Sequence, residues 1–225
     1  MSAVIFDLDG TLIDSGGCGV RATQEAFREF GLPDVSRDEV LANMGIPIEV
    51  LFPRLVADAC FNFEALYARF REIYAELSSS MIAPFPGVLE LIDDLKADGR
   101  PLAIVTSKKT SAALSNCRQA GIAIELIVGS DLVCSPKPHP EGVLRALQSL
   151  AIAPKDALVV GDAAVDIKMG KQAGTRTCAA LWGAHSQESL IQAGPDILIH
   201  DPVELLNHLG PEPSQGQNLS SRNSL

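Results

Sequence analysis

Two aspartates, Asp7 and Asp9, follow directly on a short apolar run in VIFDLDGTLIDS (residues 4–15), and a third, Asp14, precedes the next helical pattern. Carboxylates this close repel and raise one another's pKa, so gathering them at the end of a buried strand calls for a compensating cation. Other reactive side chains end similar apolar runs. Thr106 and Ser107 follow PLAIV (101–105), and Asp162 and Asp166 follow ALVV (157–160). Lys137 stands in the proline-rich loop SPKPHPEG (135–142), just ahead of a helical pattern. Carboxylates without His or Cys suit a hard, oxygen-preferring divalent ion, and Mg²⁺ is the cation expected. With that ion and Lys137 holding it ionised, one aspartate becomes a nucleophile for phosphorus. The Thr106 hydroxyl, backbone N–H groups and Lys137 are suited to stabilise the equatorial oxygens of a phosphoryl group in transfer. Singly, each residue has a plainer role, as turn former, helix cap or solvated lysine. Their joint order along the chain is what points to chemistry. His139 and His185 read as loop residues.

Such groups need a scaffold that brings distant segments to one edge. Apolar runs rich in Val and Ile recur at residues 3–6, 101–105, 125–128, 157–160, 177–181 and 196–199. Continuous apolar strands of this kind suit a parallel sheet covered on both faces. Between them lie amphipathic helical patterns. GVLELIDDLKADG (87–99) places Val88, Leu91, Ile92 and Leu95 on one face, and DPVELLNHLG (201–210) has Asp201 as N-cap and Gly210 as stop. Alternating strand and helix predicts a doubly wound α/β domain, in which ligands bind at the carboxyl ends of the strands.

Residues 16–84 break the alternation with helical patterns only. They include TQEAFREFGLP, FEALYARFREIYAEL, and SRDEVLANMG with a capping signal at Ser36 and Glu39. The expected organisation is therefore an α/β core over 1–15 and 85–210 with an all-helical domain, 16–84, inserted after the first strand. DSGGCG (14–19) and APFPG (83–87) are expected hinges. The polar tail 211–225 is expected to be disordered.

The bulk composition narrows the partners. The chain has 225 residues, 47% of them hydrophobic, with net charge −10 and pI near 4.8. No basic cluster exists to neutralise nucleic-acid phosphates. The five cysteines are scattered, with no CxxC pair, and read as small buried hydrophobes. No signal peptide and no run long enough to span a membrane is present, so a reduced, cytoplasmic setting is expected. A monomer or a homodimer fits equally.

DLDGTLIDS, TS, KP and GDAAVD, in that order, resemble the four signature motifs of the haloacid dehalogenase superfamily over roughly residues 3–209. The helical insertion resembles the small cap of the branch containing phosphoglycolate phosphatases. The resemblance implies a role for each residue. Asp7 would be the nucleophile that forms an aspartyl phosphate, and a Mg²⁺ ligand. Asp9 would be the general acid/base, with its backbone carbonyl on the metal. Thr106 and the Ser107 N–H would bind phosphoryl oxygens, and Lys137 would bridge Asp7 and the phosphoryl group. Asp162 would ligate Mg²⁺, with Asp166 supporting the metal site or reaching it through water.

Within that superfamily, Asp9 favours an oxygen leaving group over dehalogenation. The absence of lysine from residues 15–85 disfavours the Schiff-base phosphonatases. Ile48 and Gly19 occupy the places where the sugar-phosphate mutases carry an arginine and a histidine. Hydrolysis of a small phosphorylated metabolite is the leading reaction, with phosphoglycolate the first substrate considered. Pyrophosphatase, nucleotidase, mutase and non-catalytic binding remain alternatives. The cap cations are all arginines, and Arg21, near the hinge, is the expected substrate-facing one.

Overall fold

A computed structural model describes residues 3–56 and 60–210, so the tail expected to be disordered lies outside the described residues. In chain order the strands are β1 (Ala3–Phe6), β2 (Ile13–Asp14), β3 (Ala83–Pro84), β4 (Leu102–Val105), β5 (Leu126–Val128), β6 (Ala157–Gly161), β7 (Arg176–Ala180) and β8 (Ile197–Ile199). Six of them form one parallel sheet in the order β5-β4-β1-β6-β7-β8. Each apolar run singled out in the sequence becomes a strand of this sheet, with ends shifted by no more than one residue. Successive side chains of a strand leave opposite faces. Val4 and Phe6 enter one apolar core, and Ala3 and Ile5 enter the other.

Between β2 and β3 lie α1 (Gly16–Glu29), α2 (Arg37–Ala42), α3 (Ile48–Leu55) and α4 (Phe63–Met81). They share a separate apolar core in which Phe52 meets Phe27 and Phe70 edge to face, with ring centroids 5.2 and 5.3 Å apart. The capping box at Ser36 forms as expected. Glu39 N–H donates to Ser36 Oγ at 3.2 Å, and Ser36 N–H donates to Glu39 Oε2 at 2.8 Å. After β3 come α5 (Val88–Ala97), α6 (Thr110–Gln119), α7 (Glu141–Leu150), α8 (Ala164–Ala173) and α9 (Gln187–Ala193). α5 and α6 cover the Val4–Phe6 face of the sheet, and α7 and α8 the other.

Three local expectations are corrected. Residues 16–84 are not free of strand, since Ala83–Pro84 pairs antiparallel with Ile13–Asp14 where the chain enters and leaves the helical insert. DSGGCG is a strand end and a helix start rather than a loop, with Asp14 in β2 and Gly16 opening α1. The segment after Asp201 is a 3₁₀ helix, Pro202–His208, rather than an α-helix. Asp201 caps it as read, accepting from Val203 N–H at 2.9 Å. At seven residues it is longer than the three or four usual for a 3₁₀ helix.

Candidate active site

Adjacent parallel strands end side by side, and this brings Asp7 and Asp162 together from 155 residues apart (162 − 7). Asp7 N–H donates to Val160 O at 2.9 Å, which extends the β1–β6 ladder into the site. Lys137 arrives from the loop before α7. Its Nζ donates to Asp7 Oδ1 at 2.7 Å and to Asp166 Oδ1 at 2.6 Å. Asp166 also caps α8, its Oδ2 accepting from Ala163 N–H at 3.1 Å. Asp162 accepts from Thr11 Oγ1 at 2.9 Å and from Ala184 N–H at 3.0 Å. Its side chain is pressed between two glycines. A Cβ at Gly10 (φ +83°) would lie 2.3 Å from Asp162 Oδ2, and one at Gly183 would lie 2.2 Å from Asp162 Cβ.

The carboxylates of Asp7, Asp162 and Asp166 are all buried and offer oxygens within 4.8 Å of one another. Burial is the main force raising the pKa of Asp7, to about 7. Lys137 opposes the rise, while Asp166 and Asp9 add to it. Burial likewise holds Asp162 well above the usual carboxylate range, with Asp7 and Asp166 reinforcing it. For Lys137 burial disfavours the charge, yet Asp166 and Asp7 more than offset this and hold it above the ordinary lysine value. Three buried acids cluster around a single ammonium, which pairs with two of them, Asp7 and Asp166. The remaining negative charge and the all-oxygen donor set fit a hard divalent cation such as Mg²⁺.

Asp9 departs from this cluster. Its Oδ1 accepts from Ser15 Oγ and from Lys108 Nζ, so its carboxylate is turned to the first residues of the insert and the end of β4. The carboxylates grouped for a metal are those of Asp7, Asp162 and Asp166, and the Asp9 side chain is not among them. Lys108 also rests over the Tyr74 ring of α4, with Nζ 4.9 Å from the centroid. Burial disfavours its charge, but Asp9 and Tyr74 more than offset this and hold its pKa above the ordinary value. Thr106 is buried at the strand end, where its N–H donates to Val128 O at 3.0 Å and its Oγ1 accepts from Lys108 N–H at 3.1 Å. Ser107 Oγ donates to Gly45 O at 2.7 Å, and His185 Nε2 lies 3.1 Å from Met44 O. Both contacts tie the sheet edge to the helical insert. His139 Nδ1 accepts from Glu141 N–H in its own loop, and Asp14 is exposed.

Arg21 does not face this site. It is exposed and pairs with Glu25 one turn on, at 2.9 Å. The α1 residues that line the cavity are Gly19 and Thr23. Arg21 is two positions from each, about 200° around the helix. The insert arginine that does line the cavity is Arg71. The sequence reading missed Lys108, Ser15, Thr11 and Gly183. Lys108 carried a signal, standing two residues after Thr106, but a KK pair in a loop reads as solvated.

The fold and the converging acids, lysine and hydroxyl define an α/β enzyme with its site at the carboxyl edge of a parallel sheet. Residues 4–180 match the family model described as haloacid dehalogenase-like hydrolase, and the chain belongs to that family. It is 36% identical over 203 residues to "Probable phosphatase IndB" of Dickeya dadantii, covering 87% of this chain and 88% of that protein. It is 34% identical over 216 residues to "Phosphoglycolate phosphatase" of Aquifex aeolicus, covering 93% and 99%. A solved structure from Haemophilus somnus, described as a predicted phosphoglycolate phosphatase, superposes with TM-score 0.86 at 26% identity over 92% of this chain and 97% of that one. The protein is a phosphatase of this family. Among the described residues no helix is long and apolar enough to cross a membrane.

Proposed function

We propose that the protein hydrolyses a small phosphate monoester with Mg²⁺ as cofactor, through an aspartyl phosphate at Asp7. The observation that carries this reading is Lys137, whose ammonium joins Asp7 to Asp166 beside the buried carboxylate of Asp162. Asp7, the residue held at the end of β1, attacks phosphorus as the bond to the leaving oxygen breaks. Asp9, outside the acid cluster, delivers a proton to that oxygen. It then takes a proton from the water that attacks the aspartyl phosphate, so that Asp7 is regenerated and inorganic phosphate released. Thr106 Oγ1, the Ser107 N–H and Lys137 receive the phosphoryl oxygens. When bound by Asp7 and Asp162, Mg²⁺ supplies charge neutralisation for the transferring group. The α1–α4 insert acts as a cap that excludes water, a role supported by the Ser107–Gly45 and His185–Met44 contacts.

The name of the Aquifex relative makes phosphoglycolate a first substrate to test, although the core reads only the phosphoryl group. Hydrolysis of an aryl phosphate by wild type and Asp7→Asn, each with Mg²⁺ or after metal stripping in excess EDTA, tests the reaction. The expected outcome is loss of turnover without metal and in the variant. Full turnover of the stripped enzyme would overturn the metal requirement, and an active Asp7→Asn would overturn the nucleophile.

A further inference from the structure

The cavity between the sheet edge and the helical insert extends well beyond the phosphoryl site. Its volume is about 390 Å³, within the range of roughly 300–1,000 Å³ seen for sites that hold drug-sized ligands. One wall is α4, which presents Tyr67, Phe70 and Tyr74. Consecutive rings along this wall have centroids 6.5 and 5.8 Å apart. Tyr74 adjoins Lys108 and so lies near Asp9. Tyr67 is seven residues earlier, about 10 Å farther along the helix axis. In phosphoglycolate three bonds of about 1.5 Å separate phosphorus from the carboxylate carbon, and pyrophosphate is shorter. Neither is long enough to span that stretch of about 10 Å along the wall.

The facing wall is α6, which contributes Asn116. Asn116 is only 4% exposed, and its amide oxygen has no hydrogen-bond partner among the described residues. A buried acceptor left unpaired is costly, and a ligand that donates to it removes the penalty. Lys108 is already engaged by Asp9, while the exposed Arg71 and Lys109 lie over the Tyr67 ring, 5.8 and 5.4 Å from its centroid. The interior beyond the phosphoryl site is therefore aromatic and hydrogen-bonding.

On the phosphatase reading above, we infer that the leaving group is a ring-bearing alcohol. Its face lies along Tyr67, Phe70 and Tyr74, and its hydrogen-bond donor reaches the amide oxygen of Asn116. A sugar ring and a nucleoside share this chemistry. Purified full-length enzyme with Mg²⁺ is assayed on cyclic sugar phosphates, nucleoside monophosphates, phosphoglycolate and pyrophosphate, with acetyl phosphate as a small reference. The expected result is a kcat/KM for one ring-bearing class about tenfold or more above phosphoglycolate and pyrophosphate. The sugar and nucleoside arms tell the two sources apart. Asn116→Leu should lower the ratio of ring-bearing substrate to acetyl phosphate about tenfold, mainly through KM. The unphosphorylated ring alcohol should also inhibit wild-type acetyl phosphate hydrolysis more strongly than glycolate does, a readout that needs no variant.

Preference for phosphoglycolate or pyrophosphate, or stronger inhibition by glycolate, would overturn the inference while leaving the phosphatase reading intact. An unchanged ratio in a folded Asn116→Leu would overturn the assignment of Asn116. Turnover of none of these esters would overturn the phosphatase reading, and this inference with it.

Discussion

Lys108 is ion-paired with Asp9, and Ser15 donates to the same carboxylate oxygen. These partners come from the loop after β4 and from the residue just before α1, so Asp9 answers to the sheet and to the entrance of the insert together. Asp7, only two residues away, answers instead to Lys137 within the acid cluster. The DLD stretch thus divides into two carboxylates with separate partners, each held by its own lysine, as the proposed nucleophile and acid/base roles require.

That division predicts a leaving-group effect. Asp9→Asn should lose more phosphorylation rate on an alkyl phosphate than on an activated aryl phosphate, because an aryl oxide of low pKa needs little protonation. General acid/base help is worth about 10²–10⁴-fold, so the difference should be readily measured. On the aryl ester, slow hydrolysis of the intermediate should give a burst of leaving group. Single-turnover kinetics on both esters decide the case, and equal losses would assign Asp9 a structural role only.

Replacing the partner should act through Asp9. Lys108→Met removes a charge-assisted hydrogen bond and leaves only Ser15 to orient the carboxylate. A loss of kcat of about 10–100-fold is expected, together with a shifted pH profile and partial rescue in Lys108→Arg. A variant with reduced kcat, an unmoved pH profile and no rescue would mean that Lys108 serves packing alone.

Metal binding should stabilise the fold more as pH rises. Asp7 has its pKa raised from 3.8 to about 7, and Asp162 is raised in the same direction. Between those values the folded chain keeps a proton that the unfolded chain has released, so the metal-free protein loses stability as pH climbs through this window. Mg²⁺ needs the ionised carboxylates and binds the folded state. The rise in Tm on adding Mg²⁺ should therefore be larger above about pH 7 than near pH 5. Calorimetry with and without Mg²⁺ at both values checks this, and a shift independent of pH counts against it.

Gly183→Ala should weaken the metal site without replacing any proposed ligand. The added Cβ would lie 2.2 Å from Asp162 Cβ, so the Asp162 side chain must move. Displacing the support of a ligand typically costs about 10–100-fold in metal affinity. Titration of Mg²⁺-dependent activity should show that loss in apparent affinity. An unaltered Mg²⁺ requirement would mean the loop shifts instead.

The sequence by itself determined the six core strands and the polar residues at their ends, because apolar runs and their flanking polar residues are local properties of the chain. It also determined the cap at Ser36 and the buried face of α5, since both depend on spacings of three or four residues. The tertiary structure alone decided what those residues meet. Parallel pairing of β1 with β6 sets Asp7 beside Asp162, and the rotation of α1 turns Arg21 to solvent while Gly19 and Thr23 line the cavity. The lysine that engages Asp9 is 99 residues away from it, and of the two glycines that press on Asp162, Gly183 is 21 residues beyond it (183 − 162). Composition and periodicity carry no record of such partners. Long-range charge pairing and close backbone approach arise only when packing brings separate loops to one edge, and no local pattern encodes which lysine arrives there.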